Sequence, residues 1–217
     1  MAGACHTRVV SSHLMNENEA ALRETILTYD NGARAYGQIF QNVDMSKYMN
    51  DFVDHLPRAG IVLDNGCGTG RDLEQFLRRG IRTVGLDRSA SMLAECPRDS
   101  SIALVQGDLR NLPFAEESLS GVWQCASLLH LSPTDAQLSL CQVRWVLEIG
   151  GVLFLSTAAG IGSEWKSGRL GGRRRFHYYT KDDVLQMLCN AGLQTAWIQE
   201  EPGVVQGKWI NALAMRS

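Results

Sequence analysis

Three glycines at alternate positions, Gly66, Gly68 and Gly70, follow an apolar run and an acid in Ile61-Val62-Leu63-Asp64-Asn65-Gly66-Cys67-Gly68-Thr69-Gly70. Residues without a Cβ let a backbone turn sharply and approach a bound molecule with no side chain in between. The stretch reads as a buried strand that turns into a helix around a ligand. A second acid, Asp87, closes the next apolar run, Thr83-Val84-Gly85-Leu86-Asp87, and a third, Asp108, follows Ile102-Ala103-Leu104-Val105-Gln106-Gly107. A carboxylate at a strand end, one βα unit after a glycine loop, is placed to hold a pair of ribose hydroxyls, which makes Asp87 the ribose candidate. A single acid in such a place is as often a turn or cap residue. Three in register point to a nucleoside-binding sheet edge.

The elements that position these groups alternate between strand and helix. Ile61 to Leu63 carry no polar alternation, as in a parallel strand covered on both faces, and Arg71 to Arg79 is helical with Leu73, Phe76 and Leu77 on one side. Leu119 to Cys125 reads as strand four, about Thr134 to Leu147 as a helix, and Gly151 to Ser156 as strand five. After a loop, Thr180 and Asp183 cap a helix from Lys181 to Ala191 that Gly192 closes. Two further strands, Leu193 to Ile198 and Lys208 to Met215, are joined by Glu200-Glu201-Pro202-Gly203. Right-handed crossovers place the ligand crevice at the carboxyl ends of the strands. Helical segments before strand one, with Tyr29, Asp30, Tyr36, Tyr48 and Phe52, have no strand to join and are expected to form a lid; Phe40 and Phe52 are expected to dock it on the sheet.

The glycine spacing separates nucleotide classes. The dinucleotide fingerprint GxGxxG needs a glycine where Arg71 stands, and a phosphate-cradling loop needs a following Gly-Lys-Ser/Thr that is absent here. Asp-x-Gly-x-Gly-x-Gly, followed by Asp87 and Asp108, resembles instead the class I S-adenosylmethionine-dependent methyltransferases, from about Tyr29 to Ser217. The resemblance implies S-adenosylmethionine as cofactor and S-adenosylhomocysteine as product. It implies an α/β, Rossmann-like fold: a seven-stranded, mostly parallel sheet with helices on both faces, the last strand antiparallel, and an N-terminal helical lid. The expected organisation is a lid over residues 1–55 and a cofactor-binding core over 56–217, together one compact domain.

The same resemblance distributes roles. Asp64, Gly66, Cys67, Gly68, Gly70 and Arg71 of the loop are expected beside the cofactor, with Cys67 a small packing residue rather than a nucleophile. Arg88 and Met92 would form one face of an adenine pocket, with Asp108 accepting from the exocyclic amine and the Leu109 amide facing the ring. The Cys125 carbonyl would lie near the cofactor's amino group, and Tyr29 and Tyr36 match lid tyrosines of the family. His130, in the loop after strand four, is the general-base candidate, since that loop borders the methyl group in the family; a structural histidine is the alternative. Trp165, Arg175 and His177, around the basic Arg173-Arg174-Arg175, are candidates for the acceptor pocket, where a guanidinium could fork onto a carboxylate or phosphate. Asn65 stands where the family has an aliphatic residue and needs a partner if buried.

A chain of 217 residues, 45% hydrophobic and 20% charged, can bury a sizeable core without a disulfide or metal. Its six cysteines, Cys5, Cys67, Cys96, Cys125, Cys141 and Cys189, show no metal-ligand spacing, so no metal is expected. The net charge of −2 provides no global attraction to nucleic acid or anionic membrane. No apolar stretch approaches the length of a bilayer span and the N-terminus lacks a secretory core, so a cytoplasmic protein is expected. The expected function is methyl transfer to an O, N or C atom of a small-molecule acceptor. RNA or protein methylation, and a non-catalytic cofactor-binding sensor or scaffold, are the alternatives.

Overall fold

Leu22, Ile26, Tyr29, Ala33 and Tyr36 recur at helical spacing and give the first helix one apolar stripe. The computed structural model describes residues 12–57, 60–203 and 207–217, with side chains from residue 17 onward. Cys5 lies outside them. Helices α1 (Ser12–Phe40) and α2 (Ser46–Asp54) precede strand β1 (Ile61–Asn65), α3 (Arg71–Arg78), β2 (Arg82–Asp87), α4 (Ala90–Ala94), β3 (Ala103–Gln106) and β4 (Leu119–Cys125). A single 3₁₀ turn, Leu128–His130, leads to α5 (Pro133–Val146), β5 (Leu147–Ala158), β6 (Ser163–Ser167), β7 (Arg173–His177), α6 (Lys181–Asn190), β8 (Leu193–Pro202) and β9 (Lys208–Arg216). The α6 start is the capping box that Thr180 and Asp183 announce.

Seven strands form one sheet in the order β3-β2-β1-β4-β5-β9-β8. β9 alone runs against its neighbours. The registers Asn65↔Leu86, Asp87↔Gln106 and Cys125↔Ser156 bring the carboxyl ends of the central strands to one rim, where the strand order reverses and open α/β sheets bind ligands. On one face α2 and α3 cover the sheet through Met49, Phe52 and Phe76, packed with Trp123 and Phe154. α5 and α6 cover the other face through Leu140, Val143, Val184 and Leu188. Among the described residues no helix is long and apolar enough to cross a membrane.

Three departures from the sequence expectations have clear causes. The segment read as a loop after strand five contains the antiparallel hairpin β6–β7. Its alternation is hidden because one face carries Arg173 and Arg175 around Trp165 and the other carries Arg174 beside Phe176. Glu200 to Pro202 extend β8 rather than forming a turn, since their partners Ile210, Trp209 and Lys208 continue the ladder. And α2 belongs to the core: Tyr48 donates to Glu201 Oε2 at 2.5 Å, and Trp197 Nε1 donates to Asp51 Oδ2 at 2.7 Å. Only α1 is free to lie over the rim.

α1 is seated along its middle and toward its N-terminus. Thr28 Oγ1 donates to the Arg173 carbonyl at 2.8 Å, and the Arg175 amide donates to Thr25 Oγ1 at 3.0 Å, so the helix lies along the hairpin. Gly32 permits that approach, because a Cβ there would sit 2.8 Å from Leu170 Cβ. Toward its N-terminus, Glu19 takes Arg88 at 2.8 Å and Arg110 at 2.9 Å, and both arginines also hold Asp108. Burial raises the Glu19 pKa, but hydrogen bonds from the two arginines outweigh it and leave the carboxyl below its ordinary value. The clasp is therefore intact above the unfolded carboxyl value near 4.5 and is lost as pH falls through the lower folded value.

Two outcomes follow from this packing. Trp123 is fully buried, stacked on Phe154 at 4.0 Å and edge-on to Phe52 at 5.4 Å, so Trp123→Ala will lower the unfolding free energy by about 3–5 kcal/mol in urea titrations; a change below about 1 kcal/mol would place this face outside the cooperative core. Glu19→Gln will speed amide exchange in the first half of α1 by about three- to ten-fold, a loss near 1 kcal/mol, with α5 and α6 unchanged. Equal exchange in both proteins would show that the clasp does not seat the helix.

Candidate functional site

The rim and α1 border a cleft lined by residues from the ends of β1 to β4 and from α1. The turn after β1 supplies Gly66 and Gly68, the end of β2 supplies Asp87 and Arg88, and α4 supplies Met92. β3 leads to Asp108 and Leu109, β4 leads to Cys125 and His130, and α1 lays Tyr29 and Tyr36 across them. Gly66 holds φ at +91°, and a Cβ there would lie 2.4 Å from Ser127 Cβ, so the turn admits no side chain. Ala126 is also left-handed, at φ +58°, a conformation that costs a non-glycine residue energy and clusters at functional loops.

Asp87 joins two turns. Its Oδ2 accepts from the Gly68 amide at 2.9 Å and its Oδ1 from the Ser89 amide at 2.9 Å. Desolvation raises its pKa, against these amide bonds, which favour the charged form. An ionised carboxylate offers about four lone-pair positions, so acceptor capacity remains beside the cleft. Asp108 is bound differently. Burial raises its pKa, but Arg110 and then Arg88 outweigh this and lower it; Arg110 Nη2 and Arg88 Nη1 both donate to its Oδ2, at 2.7 and 3.0 Å. The carboxylate expected to be open to an adenine amine is occupied by guanidinium groups.

His130 has both nitrogens engaged. Nδ1 lies 2.8 Å from the Arg175 carbonyl, which can only accept, so Nδ1 carries the proton. Nε2 is then bare and accepts from the Tyr29 hydroxyl at 2.7 Å. Burial above all, with the nearby charge of Arg174, pushes the imidazole down to about 3. The Tyr29 oxygen also accepts from Arg174 Nη1 at 3.2 Å.

Four loop residues expected beside the cofactor lie behind this wall. Cys67 packs with Leu73 and Cys96, and its pKa is raised, first by the hydrogen bond with Cys96 and then by burial; this is the packing role expected of it. Gly70 is required by a neighbour, since a Cβ would meet Pro97 Cδ at 2.6 Å. Arg71 is paired with Asp72 at 2.6 Å and backs Cys125 Sγ at 3.5 Å. Asp64 is buried, its Oδ2 has no hydrogen-bond partner, and desolvation followed by Asp72 drives its pKa well above the carboxylate range. Asn65 finds a partner for its Nδ2, which donates to Gln124 Oε1 at 3.2 Å, while its buried Oδ1 has none.

The acceptor candidates Trp165, Arg175 and His177 stand on the hairpin, outside the cleft wall. The Trp165 ring lies between Arg173 and Arg175, and the Arg175 guanidinium donates to Ser163 Oγ at 2.6 Å. Strand alternation is the reason: one step along β7, Arg174 turns toward Tyr29. The spacing Leu22, Ile26, Tyr29, Tyr36 could have revealed the apolar wall that α1 contributes. No signal in the sequence distinguishes Arg174 from its neighbours.

The methyltransferase-domain family matches residues 62–151. A protein of Encephalitozoon cuniculi that carries the name methyltransferase is 31% identical over 164 residues, which span 66% of this chain and 75% of that protein. The malonyl-[acyl-carrier protein] O-methyltransferase of Pectobacterium atrosepticum is 30% identical over 135 residues, 59% of this chain and 51% of that enzyme. Among solved structures, the Burkholderia thailandensis 1,6-didemethyltoxoflavin-N1-methyltransferase, determined with 1,6-didemethyltoxoflavin and S-adenosylhomocysteine, shares the fold at a TM-score of 0.72 and 19% identity, covering 98% of this chain and 93% of that one. A left-handed glycine turn facing a strand-end carboxylate, on a sheet whose sequence and fold match these enzymes, places the chain in the class I S-adenosylmethionine-dependent methyltransferases.

Proposed function

We propose that the chain methylates a small-molecule acceptor, with the donor's nucleoside held by Asp87 over the Gly66–Gly68 turn and the acceptor placed under α1 beside Tyr29 and His130. The observation that carries this reading is the cover. α1 lies across the rim, seated on the hairpin by Thr25 and Thr28 and on the sheet edge by Glu19, and a cleft covered along one side by a helix suits a compact acceptor better than a polymer. The basic residues of β7 add no open cationic track, since Arg173 is paired with Glu24 and Arg175 with Ser163.

The residues fit the donor. Asp87 keeps acceptor capacity beside the cleft, and Gly66 and Gly68 leave the turn without side chains. With Asp108 held by two arginines, Leu109 and Met92 are left to face the adenine ring. The chemistry that the bound donor supplies is a methyl group made electrophilic by a sulfonium, with a neutral thioether as leaving group. The protein's tasks are alignment, exclusion of water by Tyr29, Tyr36 and α1, and removal of one proton where the acceptor has one to lose.

Two measurements test this. With methyl-labelled S-adenosylmethionine and a cell extract separated by size, label will enter the low-mass fraction; label confined to protein or RNA would overturn the small-molecule reading. Asp87→Asn will weaken S-adenosylhomocysteine binding in calorimetry by about ten-fold or more, the scale of a charge-assisted hydrogen bond, and will abolish the preference for that ligand over its 2′-deoxy analogue. A variant that loses affinity yet keeps the preference would make Asp87 a purely structural residue.

A further inference from the structure

Tyr29, His130 and Arg174 come from α1, the turn after β4 and β7, and they meet in a hydrogen-bond chain that runs in one direction. His130 Nδ1 donates to the Arg175 carbonyl at 2.8 Å, so its Nε2 accepts from Tyr29 at 2.7 Å, and the Tyr29 oxygen accepts from Arg174 at 3.2 Å. A phenol oxygen has two lone pairs; one remains for a donor arriving from the cleft, which Tyr29 and His130 both line. Arg174 lies over the rings of Tyr29 at 5.3 Å and Phe176 at 5.2 Å, and no carboxylate pairs with it among the described residues. Its charge is directed at the phenol oxygen.

We propose that Tyr29 takes the proton from the acceptor, that the acceptor is a hydroxyl compound of phenol or enol type, and that His130 and Arg174 position Tyr29 for this step. The inference rests on the small-molecule reading above and names its substrate class. The acceptor oxygen forms a bond to the methyl carbon while the carbon–sulfur bond breaks with its electron pair to sulfur. The acceptor proton passes to Tyr29 Oη, and the Tyr29 proton passes to His130 Nε2. The positive charge that began on the sulfonium travels with the proton through the imidazole and leaves with it to solvent, where burial and Arg174 drive it. Arg174 stabilises negative charge on the phenol oxygen during the exchange and disfavours an amine acceptor, whose methylation leaves a cation at the same place.

Burial and the charge of Arg174 keep the imidazole neutral across the physiological range, so Nε2 is bare but weakly basic, and it holds the transferred proton only until the proton passes on to solvent. The charged and titratable groups facing the pair are Arg174 and His177 from β7, Asp87 from β2 and Tyr36 from α1. Because Tyr29 belongs to α1 and His130 to the core, the relay exists only with the helix seated.

The test uses the full chain, methyl-labelled S-adenosylmethionine and two matched probes, para-nitrophenol and para-nitroaniline. The expected result is the labelled methyl ether, with no methylated aniline. Tyr29→Phe and His130→Gln will each lower kcat by about 10²-fold or more, with KM for the donor and the thermal midpoint near wild type. The glutamine oxygen still accepts from Tyr29 but takes no proton, so a merely structural histidine would leave His130→Gln active. The wild-type rate will show no acid limb from His130 between about pH 7.5 and about pH 5. Independently of turnover, nitrogen NMR of the imidazole will show a protonated Nδ1 and a bare Nε2 over that range, with the Nε2 resonance shifted in Tyr29→Phe. Full turnover in either variant, or a proton on Nε2, overturns the relay. Label in the aniline alone overturns it while leaving small-molecule methylation intact, label only in macromolecules removes both, and label in neither probe removes the phenol class.

Discussion

The Asp87 carboxylate accepts the Gly68 amide from the turn after β1 and the Ser89 amide ahead of α4, and the floor of the cleft depends on that shared acceptor. Without it, two turns at neighbouring strand ends would each present an unpaired amide to a low-dielectric cavity, a cost of about 1–3 kcal/mol per group. The same carboxylate keeps lone pairs beside the cleft. In the proposed reading, architecture and ligand recognition meet in one side chain. The parallel register that brings Asp87 level with Gln106 and Asn65 level with Leu86 makes the arrangement possible.

A floor of this kind leaves the nucleoside site open to water, and α1 is the element that closes it. Leu22 and Ile26 on its inner face pack on the core. Around them the helix is held by the hairpin along its middle and by the Glu19, Arg88, Asp108 and Arg110 cluster toward its N-terminus. These are polar attachments, individually modest and sensitive to salt. An aromatic and aliphatic inner face with a polar perimeter seats the helix. Tyr29 stands on this helix and His130 on the core beneath it.

The central sheet was legible because each strand announces itself: Ile61 to Leu63 by continuous β-branched and aliphatic residues, Leu119 to Cys125 by its apolar content, and the glycine turn by its spacing. Asp87 was readable for a similar reason, since its place at a strand end follows from chain order. The acceptor side was not. Arg173, Arg174 and Arg175 are identical in type, and only strand alternation sends Arg173 and Arg175 to Trp165 and Arg174 to Tyr29. The setting of Asp108 was not legible because its partners, Arg88 and Arg110, are brought together by tertiary folding. The loop that carries His130 was legible, but the tautomer depends on the Arg175 carbonyl, supplied by a hairpin hidden within the basic run.

A crystal structure of the protein grown with S-adenosylhomocysteine bears most directly on this account. It will show the ribose hydroxyls within hydrogen-bond distance of Asp87, about 2.6–3.0 Å, over the Gly66–Gly68 turn and beneath Tyr29 and Tyr36, with Asp108 still held by Arg88 and Arg110. A nucleoside bound away from Asp87, or one enclosed without α1, would contradict it.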